Sequence, residues 1–130
     1  MDFTRIERPA TPNTALAAPK DFSPTPDIVT PEYRLSAPDL LAAVRNMALA
    51  EPRVFLAADY PQAGQVYFVA RSAVLNFPDL IAVQAREVPG GGSELVLYSR
   101  SVYGRSDLGV NQARLQQWLD RLTQTLSQKG

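Results

Sequence analysis

From residue 53 onward the apolar and polar positions alternate with a period of two, and on either side of that region the period lengthens to that of a helix. Leu40, Leu41, Val44, Met47 and Ala48 recur at helical spacing and predict a helix over 38–50. Ser36 is placed to cap it, Pro38 falls in the first turn where a missing amide costs little, and Asp39 completes a box-like arrangement. Pro52 ends it. Four strand-like runs follow, over 53–59, 65–75, 80–88 and 93–102. They are separated by the turn sequences Asp59-Tyr60-Pro61-Gln62-Ala63-Gly64, Asn76-Phe77-Pro78-Asp79 and Pro89-Gly90-Gly91-Gly92. In the second run Val66, Phe68 and Ala70 share one face, and Tyr67 and Val69 the other. Consecutive strands joined by short turns predict an antiparallel meander.

From 111 to 127 the period is helical again, with Leu115, Trp118, Leu119, Leu122 and Leu126 on one stripe. Gln112, Arg114, Gln116, Gln117, Asp120 and Arg121 form its wet face, and Asn111 is the expected cap. Residues 32–35 are a further short strand candidate. The order is then β-α-β-β-β-β-α: an α+β domain with an antiparallel sheet of about five strands and two helices on one face.

Ahead of this lies a different kind of sequence. Residues 1–31 carry Pro9, Pro12, Pro19, Pro24, Pro26 and Pro31, each without an amide donor and each disfavouring helix for its predecessor. An extended arm is expected over 1–31, pinned to a single domain over 32–130 by Phe3, Ile6, Leu16, Phe22 and Ile28.

Composition narrows the chemistry more than it widens it. In 130 residues there is no cysteine and no histidine. Thiolate nucleophiles, Ser-His-Asp triads, Cys/His zinc sites and haem ligation by those side chains are therefore excluded. The side chain best suited to proton transfer near neutral pH is missing as well. Thirteen basic and thirteen acidic side chains cancel, so no basic surface favours nucleic acid. No apolar run is long enough to span a bilayer. The chain as given is expected to be soluble, and membrane-associated only through an amino-terminal anchor lying ahead of it.

The densest polar stretch is Ser99-Arg100-Ser101-Val102-Tyr103-Gly104-Arg105-Ser106-Asp107-Leu108-Gly109-Val110-Asn111, between the last strand and the last helix. Its architectural reading is a junction: Gly104 and Gly109 permit unusual backbone angles, while Asp107 and Asn111 satisfy turn amides. Asp79 joins it if Arg71 or Arg100 pairs with Asp79 or Asp107 across the sheet. A sharper reading makes Arg71, Arg100, Arg105 and Arg114 an anion clamp beside the start of the helix. Architecture is the weightier of the two. An acid–base pair of Asp79 and Asp107 has little support, since carboxylates in turns are commonplace. Pro89-Gly90-Gly91-Gly92-Ser93 lacks the lysine and following helix of a phosphate loop. No catalytic residue, metal ligand or cofactor is expected.

Two segments carry a resemblance: Arg71-Ser72-Ala73-Val74-Leu75-Asn76-Phe77-Pro78-Asp79, and the Ser99 to Asn111 stretch with its Gly-x-Ser-Asp-Leu-Gly-Val-Asn ending. With Pro12-Asn13 and Pro52-Arg53 they resemble the bacterial and plastid domain of unknown function 1499 family. That family has no settled activity, cofactor or substrate. Some relatives carry a hydrophobic segment ahead of the domain, so the resemblance implies at most a place at the cell envelope.

The resulting expectation is a non-catalytic binding or scaffold domain holding a lipid-like or small anionic ligand, in an apolar pocket between sheet and helices. The alternative is a protein–protein interaction module using the proline-rich arm or an open sheet face. An enzyme working with carboxylates, Tyr or Lys alone is the weakest reading.

Overall fold

A computed structural model of the protein describes residues 1–6, 13–72, 77–102 and 109–129. The strands are β1 (Thr14–Ala18), β2 (Ile28–Val29), β3 (Val54–Tyr60), β4 (Gln65–Arg71), β5 (Pro78–Glu87) and β6 (Ser93–Ser101). The helices are α1 (Ala37–Leu49), between β2 and β3, and α2 (Val110–Lys129), after β6. All six strands form one sheet in the order β2-β1-β6-β5-β4-β3.

The α+β class and the two helices match the sequence pattern, but the sheet is larger and of a different kind. It is mixed, with six strands, not antiparallel with about five, because β1 pairs parallel with β2 and antiparallel with β6. Both extra strands come from the proline-rich segment. Residues 32–35 are not a strand; Tyr33 makes a single antiparallel bridge to Ser93. β1 shows no alternation because Ala15, Leu16, Ala17 and Ala18 are all buried, covered on both faces. Asp27 stitches β2 to it, its Oδ2 accepting from the Leu16 amide at 2.9 Å while its own amide donates to the Leu16 carbonyl at 2.8 Å.

The remaining strands follow their alternation. Val66, Phe68 and Ala70 of β4 lie in register with Val83, Ile81 and Asp79 of β5, and all face the helices. Leu40, Leu41, Val44, Met47 and Ala48 of α1, with Leu115, Trp118, Leu119 and Leu122 of α2, fill the layer above them. Trp118 meets the Phe68 ring edge-on, with centroids 5.6 Å apart, a geometry that adds about 1 kcal/mol beyond its buried area. These side chains form one core cluster between sheet and helices. Ser36 caps α1 as anticipated, accepting from the Asp39 amide at 3.2 Å.

Gly64 closes the turn from β3 to β4 with φ +70°. A Cβ there would stand 2.5 Å from the Ala85 carbonyl oxygen, while Ala85 donates its amide to the Gly64 carbonyl at 2.9 Å. Only glycine fits that approach.

The outer face of the sheet, away from the helices, is half covered. Phe3 and Ile6 are buried there against Leu16, Ala18, Ala82, Val96 and Tyr98, with Phe22 packed alongside. Toward β3 that cover ends. β3 is an edge strand, bulged between Leu56 and Ala58.

Candidate functional site

Of the junction residues the sequence nominated, Asp79, Gly109 and Asn111 lie among the described residues. α2 begins at Val110, so Asn111 is not the cap but a residue of the first turn. It is fully buried and turns its side chain toward the sheet. Its amide nitrogen donates to the Asn13 carbonyl at 3.0 Å and to Ser101 Oγ at 2.9 Å. Its Oδ1 accepts from Ser99 Oγ and from the Arg114 guanidinium, the latter at 3.1 Å. The other arm of Arg114 pairs with Asp79 Oδ2 at 2.8 Å, both side chains being mostly buried at 16% and 13% exposure. One polar network thus ties β1, β5 and β6 to the start of α2.

Asp79 therefore pairs with Arg114, not with Arg71 or Arg100 across the sheet. The reason is the period of two: Asp79 is in register with Ala70 and Ser101, each one residue off an arginine, and faces the helices. Gly104, Arg105 and Asp107 lie outside the described residues. Gly109 precedes α2 with φ +82°, where its carbonyl accepts from the Ala113 amide at 2.9 Å.

Of the suggested clamp, Arg71, Arg100 and Arg114 are described, and these three do not converge. Arg71 and Arg114 line one cleft of about 400 Å³ at the start of α2, together with Arg53, Ser72, Gln117 and Trp118. Arg100 is elsewhere, on the outer face. There the ladder sets Phe55, Val69, Leu80 and Arg100 side by side across β3, β4, β5 and β6. Phe55 is 55% exposed, and Val69 and Leu80 are only partly covered. In the row beside it, Tyr67, Ala82 and Tyr98 stand in register.

Between these rows runs a groove of about 240 Å³, lined by Tyr67, Leu80, Ala82, Tyr98 and Arg100, with Met1 at one wall. Its surface is apolar apart from the arginine and the Tyr67 hydroxyl, which donates to Gln65 Oε1 and accepts from the Met1 amine at 2.9 Å. Desolvation, with Tyr60 nearby, raises the Tyr67 pKa, so this phenol stays neutral and acts as a hydrogen-bonding group. The groove residues Leu80 and Ala82, and the parts played by Ser99, Ser101 and Arg53, did not follow from the sequence. Ser99 and Ser101 did carry a signal, since they continue the core-facing positions of Leu95 and Leu97.

Among the described residues no group of three or more acidic, His or Cys side chains is placed to hold a metal ion. No described helix is long and apolar enough to cross a membrane. The model of one family, described as protein of unknown function (DUF1499), matches residues 6–122. The chain belongs to that family. The match includes every member of the polar network, from Asn13 through Asp79, Ser99 and Ser101 to Asn111 and Arg114. Neither curated proteins nor solved structures give a match.

Proposed function

We propose that this DUF1499 domain is a non-catalytic binding module whose outer sheet face takes an amphiphilic anion, an apolar body ending in a carboxylate or phosphate. The observation that supports this reading is the uncovered row Phe55, Val69, Leu80 and Arg100 beside the apolar groove. A concave apolar surface with one or two convergent polar groups is the usual form of a small-ligand site. At about 240 Å³ the groove suits a short segment of chain lying along the sheet. Arg100 would meet the anionic head by a charge-assisted hydrogen bond, and burial of the body against Leu80 and Ala82 would supply the rest. A ligand of this class would be consistent with work at the cell envelope.

A second reading makes the same face a site for a partner protein. Phe3, Ile6 and Leu16 of the arm are already buried within the domain, so that reading falls on the open sheet, not on the arm. Native mass spectrometry of gently purified protein, followed by solvent extraction, tests the first reading. It predicts a co-purifying amphiphile of defined mass that is lost from Arg100→Glu. Clean apo protein that also ignores added amphiphiles would move the face to a protein partner.

A further inference from the structure

A second place on the molecule has the makings of a site, on independent grounds. The cleft of about 400 Å³ at the start of α2 is bounded by the ends of β3 and β4 and by the segment joining α1 to β3. Its volume is within the range usual for small-ligand pockets. Arg53, Arg71, Ser72 and Gln117 surround it with donors, and Trp118 and Val54 supply an apolar wall. The other charged groups on its wall, Arg71 among them, already have partners. Arg114 is held by Asp79 at 2.8 Å, and Glu51 is held by Arg121 at 2.6 Å.

Arg53 differs from both. It is exposed and makes no ion pair among the described residues. It also has φ +60°, a left-handed conformation that no other described non-glycine residue adopts. Its carbonyl accepts from the Arg71 amide at 3.0 Å, so the ladder with β4 pins the backbone there. An L-residue resists this conformation and glycine does not. A side chain kept where glycine would be easier is accounted for if the guanidinium itself is used.

We infer that this cleft binds a small oxyanion, phosphate or a phosphomonoester, with Arg53 as its principal ligand and Gln117 and Arg71 beside it. Arg114 is a positioning residue, fixing the wall through the buried network. The contact is charge-assisted and saturates at millimolar or tighter concentrations, as one strong guanidinium contact with helpers would.

The test is a calorimetric titration of the full chain with inorganic phosphate and with phenyl phosphate. Emission from Trp118, the sole tryptophan, reports location. Arg53→Gly relieves the strained backbone and removes the ligand, so the variant should melt about 3–5 °C higher and bind at least about tenfold more weakly. Vesicles of phosphatidylcholine with and without phosphatidic acid separate the sources. A Trp118 response to free phosphate assigns a soluble ligand, and a response only to phosphatidic acid assigns a lipid headgroup. A stabilised Arg53→Gly that titrates like the parent chain would overturn the inference. So would a parent chain that gives neither heat nor emission change with any of these probes.

Discussion

Replacing Asn111 with alanine should uncouple the start of α2 from the sheet, at a cost that follows from its partners. The side chain is fully buried and makes four of the network's hydrogen bonds, to Asn13, Ser99, Ser101 and Arg114. Each such bond contributes about 1 kcal/mol net, and one to a charged group somewhat more. Their sum is about 4–5 kcal/mol. Water entering the space left behind would recover part of that, leaving about 3–4 kcal/mol. Against a total stability of about 5–15 kcal/mol this is a large loss. Urea unfolding should show a midpoint falling in proportion, with an unchanged slope. Asn111→Asp separates geometry from volume: it keeps the Oδ1 acceptor but presents an oxygen to the Asn13 carbonyl, so it too should destabilise despite the added attraction to Arg114. Hydrogen exchange should quicken first in β1, whose neighbour Asn13 loses one of its two carbonyl partners while keeping the Ser101 amide. A loss below about 1 kcal/mol for Asn111→Ala would mean that the network is wet and holds nothing together.

Gly64→Ala should cost about 2–3 kcal/mol, combining a left-handed backbone with a clash against the Ala85 carbonyl, and denaturant unfolding reads it directly. Burial pushes the Tyr33 phenol up to about 12. The folded form then holds a proton that the unfolded chain releases near 10, so its contribution is complete below pH 10 and is lost between about 10 and 12. Tyr33→Phe should remove about 2–3 kcal/mol of that alkaline decline, measured as unfolding free energy against pH. Arg53→Gly should raise stability by about 1 kcal/mol, in contrast to the usual effect of a helix or strand glycine.

What the sequence made legible is what rests on periodicity. The stripe from Leu40 to Ala48 and that from Leu115 to Leu122 are buried as read, and the meander from Val54 to Ser101 is paired in order. β1 was illegible because Ala15, Leu16, Ala17 and Ala18 are covered on both faces, which erases the alternation by which a strand is recognised. Its proline-rich surroundings reinforced the reading as an arm. Asn111 looked like a cap because caps and buried amides use the same residue; only the serines two apart on β6 distinguish the cases. Of the clamp's described arginines, Arg71 and Arg114 line one cleft and Arg100 lies at the groove on the outer face, a division that the strand period sets. Arg53 entered the sequence reading only through Pro52-Arg53 in the family resemblance, since its distinction is a backbone angle.

A proton–nitrogen correlation spectrum of the labelled chain, titrated with decanoate, addresses the outer face most directly. The predicted shifts cluster at Val69, Leu80, Ala82, Tyr98 and Arg100, saturate, and vanish in Arg100→Glu, a variant whose melting temperature stays within a degree or two because the side chain is exposed. Shifts spread over α2 with the outer rows unmoved, or an undiminished response in Arg100→Glu, would contradict an anion-capped apolar groove on that face.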